Sequence, residues 1–179
     1  MLERAFVVIA LCLAACGGTP KTAGERQSLE QSANATLQAM IQKDPGLRQV
    51  IANAAGYVVF PEVGKGGVIV GGAYGVGMLY ERGRPVGSVK LQQASIGAQL
   101  GGQTFAELLV LHNPMDVAKI KAGDYELGAD VSVVALTAGA AAQATASSGV
   151  TAFIMPRGGA MVDVSVNGQR LTFEPIPMG

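Results

Sequence analysis

The sequence predicts an α+β protein in which N-terminal helices pack on a curved, glycine-rich antiparallel β-sheet. Residues 25–43 repeat apolar side chains at spacings of three and four, as one face of a helix does. From Tyr57 onward the period changes to two, and most of the 25 glycines lie in this part of the chain. Helices and strands do not alternate regularly, so a parallel α/β sheet is not expected. Glycine-rich strands bend readily, and closure into a barrel is the alternative to an open curved sheet.

Two helices are predicted before the sheet begins. The first spans residues 25–43, and a polar tether precedes it. Asp44 then supplies an N-cap and Pro45 stands at the first helical position, so a short second helix follows and ends at Gly56. The apolar stripe of the first helix consists of Leu29, Ala33, Leu37, Met40 and Ile41.

The glycine-rich region is predicted to form strands. Residues 57–60 form a short strand closed by Pro61, residues 62–66 form a turn, and residues 67–80 form a long strand. One face of that long strand is bulky and the other is mostly glycine, which predicts close approach of another element or strong bending. Further strands are expected at residues 88–104, 105–112, 127–136, 150–155, 160–166 and 169–173.

Local signals refine this assignment. Residues 105–112 also fit a helix. Asn113 and Pro114 begin a short helix that ends at Gly123, and Asn167-Gly168 is a typical hairpin turn between the last two strands.

Composition argues against several function classes. Lys+Arg and Asp+Glu both number 13, so a diffuse basic surface for nucleic acid is not expected. The single histidine, His112, precedes a helix N-cap without a second histidine or a cysteine nearby, which favours a surface or strand-end residue over a base or a metal ligand. Asp124, Glu126 and Asp130 are spread over a turn and a strand, which favours solvated acids over a calcium site. We therefore predict no enzyme activity, no cofactor and no metal.

The glycine motifs do not match nucleotide-binding loops. The segment VGKGG at residues 63–67 lacks the Ser or Thr that follows the lysine of a phosphate loop. The glycines of residues 71–77 lie inside a predicted strand rather than at the start of a helix, so a dinucleotide fingerprint is not expected either.

The N-terminus has the features of a bacterial lipoprotein signal. Residues 5–13 are mostly apolar, too short to span a bilayer and suited to the central region of a signal peptide. Leu13-Ala14-Ala15-Cys16 resembles a lipobox, whose cysteine receives a diacylglycerol and, after cleavage, an acyl chain such as palmitate on its amine. We therefore predict a signal peptide at residues 1–15 and a lipidated Cys16 with a tether at residues 16–24. An ordinary signal peptide with a chance cysteine is the alternative.

The anchor predicts a location. Cys12 would leave with the signal peptide, so the mature chain would have no free thiol and no disulfide. Gly17, rather than Asp, follows Cys16, which favours the outer membrane of the bacterial cell envelope.

Four blocks of the sequence resemble the SYLF domain, also called the Ysc84 family. They lie at residues 60–80 (FPEVGKGGVIVGGAYGVGMLY), 95–113 (SIGAQLGGQTFAELLVLHN), 127–135 (LGADVSVVA) and around 158–166. The resemblance covers about residues 30–175, so we place the domain at residues 25–175 and a loose tail at residues 176–179.

The resemblance implies binding of phospholipids or acidic lipid headgroups without catalysis. Eukaryotic members of the family bind phosphoinositides and some bind actin, but a secreted lipoprotein is not expected to meet actin. The basic and glycine motif of the family corresponds to Lys65, Gly66 and Gly67, with a solvated turn lysine as the alternative. Three further basic residues could extend the positively charged surface around Lys65, namely Arg82, Arg84 and Lys90. A structural or protein-interaction role in the envelope, with another envelope protein as partner, is the alternative function.

Overall fold

The computed structural model describes residues 18–67, 70–96, 101–123, 125–128, 131–144, 149–158, 166 and 168–177. Its helices are α1 (Ala23–Lys43), α2 (Leu47–Asn53), α3 (Pro114–Lys121) and α4 (Ala141–Ala144). Its strands are β1 (Gly56–Gly67), β2 (Val70–Glu81), β3 (Arg84–Ile96), β4 (Gly101–Leu111), β5 (Tyr125–Glu126), β6 (Ser132–Ala135), β7 (Val150–Gly158) and β8 (Arg170–Pro175). None of the helices in these ranges is long and apolar enough to cross a membrane.

All eight strands belong to one sheet that curls into a half-barrel. The strand order is β5-β8-β3-β2-β1-β4-β7-β6, and every neighbouring pair is antiparallel except β6–β7. The predicted α+β class with a curved sheet is confirmed. Over the described ranges the sheet remains open, with β5 and β6 at its edges, so it does not close into a barrel.

The sheet separates two apolar cores. Helices α1, α2 and α4 cover the side that we call the helix face, where α1 packs on side chains such as Tyr57, Met78 and Leu108. The opposite side, which we call the concave face, packs against α3 and encloses Phe60, Phe105 and other large side chains. Burial on both faces explains why the middle strands are almost continuously apolar.

Helix α1 begins at a capping box and crosses the strands. The Thr22 Oγ1 accepts a hydrogen bond from the Glu25 N–H at 3.2 Å, and the Glu25 carboxylate accepts one from the Thr22 N–H at 3.0 Å. The Tyr80 hydroxyl donates to the Asn34 Oδ1 at 3.0 Å, which places the middle of α1 over β2. Further along, the Arg157 guanidinium of β7 donates to the Thr36 Oγ1 at 2.7 Å. The prediction of this helix is confirmed.

The predicted turn at residues 62–66 is wrong. Strand β1 continues through Pro61 to Gly67, because a bulge between Val59 and Val63 accommodates the proline without breaking the ladder on either side. Strand β1 ends at Gly67 and β2 begins at Val70, so the predicted strand 67–80 is confirmed as β2 over residues 70–80, whereas Gly67 belongs to β1. Residues 68–69 lie outside the described residues.

The later strands differ in part from expectation. Strand β3 ends at Ile96 and β4 begins at Gly101, so the prediction of one strand over residues 88–104 is wrong. Residues 105–112 lie almost entirely in strand β4, so the alternative helix is excluded. Of the predicted strand 127–136, residues 132–135 form the short strand β6, which is parallel to β7, and the two-residue β5 precedes this range. Most of the predicted strand 160–166 and Asn167 of the predicted hairpin lie outside the described residues, as do residues 1–17.

Glycines on the concave face make room for the chain's own aromatic rings. A Cβ atom at Gly77 would lie 2.6 Å from the Val59 carbonyl oxygen and 2.7 Å from the Phe60 Cδ1. A Cβ atom at Gly87 would overlap the ring of Phe173. The close approach of another element that is predicted for residues 67–80 is therefore confirmed at Gly77.

Candidate functional site

A groove lies where the β2–β3 turn meets α3, and we call it the hairpin groove. Its volume is about 1190 Å³. Its charged lining consists of Glu81, Arg82, Arg84 and Lys121, and its apolar lining consists of Ala54, Ala55, Val86, Pro114, Val117, Ala118 and Ala122. An apolar floor with charged groups at its border is the usual composition of a ligand groove.

Local sequence rules position the two sides of the hairpin groove. Arg82 and Gly83 are the central residues of the two-residue turn and have φ angles of 52° and 75°, as a type I′ hairpin requires. On the other side, the Asn113 Oδ1 accepts a hydrogen bond from the Met115 N–H at 2.9 Å, which begins α3 at Pro114. The predicted start of this helix is confirmed.

The electrostatics of the hairpin groove leave two arginines available. The Lys121 Nζ lies 3.2 Å from both carboxylate oxygens of Glu81, so these two charges offset each other. Arg82 and Arg84 are exposed, and neither has an acidic side chain within ion-pair distance among the described residues. Guanidinium groups bind phosphate oxygens in a bidentate manner, so this border suits a phosphate-bearing ligand.

The start of the described chain lies on the helix face, beside β8. The Thr19 hydroxyl donates to the Glu174 Oε1 at 2.6 Å. Glu174 has the opposite parity to Leu171 and Phe173, which lie on the concave face, so its side chain is on the other side of the sheet from α3. Met115, next to Pro114 of the groove, is 63% exposed. Two arginines and an exposed apolar side chain therefore lie at the hairpin groove, whereas Thr19 is on the opposite face of the sheet.

Lys65 lies elsewhere. It is in β1 between Ala73 and Gln103, its side chain is on the concave face, and only 6% of its surface is exposed. Both readings of Lys65 as a turn residue are therefore wrong, and Gly66 and Gly67 are also strand residues. By register, the β2 partner of Lys65 is about 26 Å along the strand from the β2–β3 turn.

The structure does not bring the predicted basic residues together. Arg82 and Arg84 lie at one end of the sheet and Lys65 at the other. Lys90 is partly buried in the middle of β3, where it pairs with Val76 and Thr172. Cys16 lies outside the described residues.

Comparison with known families matches residues 92–175 to a family described as "Ysc84: Las17-binding protein actin regulator". The chain carries a Ysc84 (SYLF) domain. The match begins within β3 and ends with β8, so Lys65, Arg82 and Arg84 precede it. A comparison with curated proteins found no significant match.

Within the matched part of the Ysc84 domain, sequence reasoning missed a buried carboxyl group. Glu107 is fully buried on the concave face, where the Gln169 Nε2 donates to its Oε2 at 3.1 Å. Burial raises the pKa of Glu107 to about 7, although the hydrogen bond from Gln169 acts in the opposite direction. The sequence did contain a signal for this burial. Glu107 is two residues from both Phe105 and Leu109, so on a strand its side chain lies on the same face as these apolar side chains.

His112 is a strand-end residue, as the sequence analysis favoured. Its Nε2 lies 3.2 Å from the Thr151 Oγ1. Burial lowers the pKa of His112, and the nearby Asp116 charge opposes this effect. Among the described residues of the Ysc84 domain and the preceding helices, no group of His, Cys, Asp and Glu side chains is arranged to hold a metal ion.

Proposed function

We propose that this protein is a membrane-anchored bacterial lipoprotein whose Ysc84 domain binds acidic phospholipid headgroups at the hairpin groove, without catalysis. The observation that carries the proposal is the pair Arg82 and Arg84, which are exposed above an apolar floor with Glu81 already engaged by Lys121. The phosphate of a lipid headgroup would bind between the two guanidinium groups, and the apolar floor would receive the adjoining glycerol and acyl carbons.

The tether sets the distance between the domain and the membrane. Gly18 is two residues after Cys16, so a lipid on Cys16 would hold the bilayer within about 7 Å of the described chain. The Thr19–Glu174 hydrogen bond keeps that point on the helix face of β8, across the sheet from the hairpin groove. Met115 is exposed beside the groove and could enter the interfacial region of the bilayer. Gly17 leads us to propose the outer membrane of the envelope.

Actin is not a proposed partner, although the description of the family includes actin regulation. A lipoprotein signal would carry the chain out of the cytoplasm, where actin is found. An envelope structural or protein-interaction role is the second candidate. The filled concave face favours it, because Phe60 and Phe173 occupy the space beside Gly77 and Gly87 that an acyl chain would need.

Vesicle binding tests the headgroup proposal. The purified full-length chain carrying Cys16→Ser is mixed with phosphatidylcholine vesicles with or without an anionic phospholipid. Each arginine near an anionic surface contributes about 1 kcal/mol, so Arg82→Ala with Arg84→Ala should weaken binding to anionic vesicles about 30-fold. Lys43→Ala with Arg48→Ala is the matched control, because it removes two exposed charges outside the groove.

Equal losses in the two double variants would mean that general charge, not the groove, governs binding. Failure of the parent chain to bind any vesicle, together with capture of one envelope protein by crosslinking in cells, would favour the second candidate.

Cell fractionation tests the anchor separately. The unmodified chain should remain with the membrane fraction after a high-salt wash, whereas Cys16→Ser should be released as a folded protein. Retention of Cys16→Ser in the membrane after the same wash would contradict lipid attachment at Cys16.

A further inference from the structure

The hydrogen bond between Gln169 and Glu107 connects distant parts of the half-barrel. Glu107 is in the middle of β4, and Gln169 immediately precedes β8. In the sheet, β4 and β8 are separated by β1, β2 and β3. The bond therefore crosses the concave face, where both side chains are fully buried. It holds together two sides of the curl that share no ladder hydrogen bonds.

Two oxygen atoms of this pair can bond to each other only when one of them carries a proton. The Glu107 Oε1 and the Gln169 Oε1 are both buried and have no hydrogen-bond partner among the described residues. While the carboxyl is ionised, both atoms are acceptors and cannot bond to each other. A proton on the Glu107 Oε1 supplies the missing donor. The carboxyl and the carboxamide would then pair through two hydrogen bonds, the observed one between Nε2 and Oε2 and a second one between the two Oε1 atoms.

We propose that Glu107 and Gln169 form a proton-dependent clasp, which is closed across the concave face when the Glu107 carboxyl is protonated and is loosened when it ionises. Ionisation removes one of the two hydrogen bonds. It also places a negative charge among apolar side chains, because the β1 and β7 partners of Glu107 are Phe60 and Ile154.

The electrostatic surroundings support a response near neutral pH. Burial raises the pKa of Glu107 to about 7, and apart from the Gln169 hydrogen bond no other group shifts it. The charged or titratable side chains on the elements packed on this face are Lys65 of β1, Glu81 of β2, Arg84 of β3, Tyr125 of β5, and Asp116, Lys119 and Lys121 of α3. Most of these lie at the two ends of the concave face, and Glu81 and Asp116 each face a lysine of α3.

Loosening should affect the β8 side of the sheet rather than the β4 side. Strand β4 is paired along most of its length with β1 and β7. Strand β8 is paired with β3, but its other neighbour β5 has only two residues. Gln169 itself is held by the Leu127 N–H, which donates to its carbonyl oxygen at 2.9 Å. When the clasp opens, β8 and β5 are the strands with the fewest other contacts.

NMR of the full-length chain tests the clasp. The side-chain carboxyl carbon of Glu107 should titrate near pH 7 rather than near the ordinary value of 4.5. Glu107→Gln is the mimic of the protonated state, because its carboxamide can make both hydrogen bonds to Gln169 at any pH. Glu62→Gln is the matched control, since Glu62 is exposed.

Amide hydrogen exchange gives the second readout. At each pH, the protection of β8 amides in the parent chain is divided by that in Glu107→Gln, which removes the intrinsic pH dependence of exchange. Protons bind the closed state more tightly, so this ratio should fall about 140-fold between pH 4.5 and 8, as the two pKa values require. The β1 and β4 amides should change less.

Three results would overturn the proposal. The first is a Glu107 carboxyl that titrates near 4.5. The second is the same pH dependence in the parent chain and in Glu107→Gln. The third is an equal change in the β1, β4 and β8 amides, which would indicate global unfolding without a local clasp.

Discussion

Replacement of Gly77 by alanine tests whether the glycines of β2 exist to admit the chain's own side chains. The new Cβ would lie 2.6 Å from the Val59 carbonyl oxygen, 2.7 Å from the Phe60 Cδ1 and 3.0 Å from the Phe60 Cε1. A rotation of the Phe60 ring could relieve the last two contacts. The first involves a backbone atom of the neighbouring strand, so it can be relieved only by moving β1 or β2.

The contact with a backbone atom sets the expected loss of stability. Overpacking of a filled core costs about 1–3 kcal/mol, and the backbone contact places Gly77→Ala in the upper half of this range. The free energy of unfolding, from urea denaturation of the full-length chain, should therefore fall by about 2–3 kcal/mol with an unchanged m-value.

Gly64→Ala is the matched control for this experiment. Gly64 is also a strand glycine on β1, but a Cβ atom there would have no heavy atom within 4 Å. Its replacement should be neutral or should stabilise the protein by about 0.5–1 kcal/mol, because alanine restricts the unfolded chain. A loss of less than about 0.5 kcal/mol in Gly77→Ala, or equal losses in the two variants, would refute the packing argument.

Three other substitutions give distinct outcomes in the same unfolding assay. Asp44→Ala should cost about 2–4 kcal/mol, because the buried Asp44 carboxylate accepts hydrogen bonds from the Gly46 and Ala141 N–H groups at 3.0 and 2.6 Å; a loss below 1 kcal/mol would contradict this role. Lys65→Met should raise stability by about 1 kcal/mol and leave vesicle binding unchanged, because it removes a buried charge far from the hairpin groove; weaker vesicle binding would restore Lys65 to the lipid site. Glu107 binds its proton more tightly in the folded state, so the parent chain should lose about 3 kcal/mol as pH rises from 4.5 to above 7. Glu107→Gln should not show this loss, and identical pH profiles would disprove the assignment.

Helices α1 and α3 could be predicted from sequence because their determinants are local. The Thr22–Glu25 capping box and the apolar stripe of α1 lie within the helix or next to it. The Asn113-Pro114 start of α3 is likewise contained in a few residues. Such signals act through neighbouring backbone groups, so no knowledge of the sheet is needed to interpret them.

The predicted start of α2 is wrong, because α2 begins at Leu47 after Gly46, and the Asp44 carboxylate instead accepts hydrogen bonds from the Gly46 and Ala141 N–H groups.

The course of β1 could not be predicted, because its determinants are distant in sequence. Pro61 and the segment GKGG resemble a turn, but β2 and β4 supply ladder partners on both sides. The bulge also changes the facing of side chains. Val59 lies on the helix face and Val63 on the concave face, although both have odd numbers. A parity argument carried through the bulge therefore misplaces Lys65.

The candidate site likewise has a part that local sequence predicts and a part that depends on contacts between residues distant in the chain. Arg82 and Arg84 were named from the sequence because they are basic residues that lie near the Lys65 motif in the chain. Their proximity to α3, and the offset of Lys121 by Glu81, depend on tertiary contacts that the sequence does not contain. Gln169 as the partner of Glu107 is likewise a contact between residues far apart in the chain.

The left-handed backbone at Arg82 has a practical consequence. Asparagine and glycine occupy this conformation at lower cost than arginine does, so a cation at the tip of the hairpin lowers the free energy of unfolding. Arg82→Asn should therefore raise the stability of the protein while it removes one positive charge. Because most mutations that impair ligand capture also weaken a fold, this position offers a rare separation of the two effects.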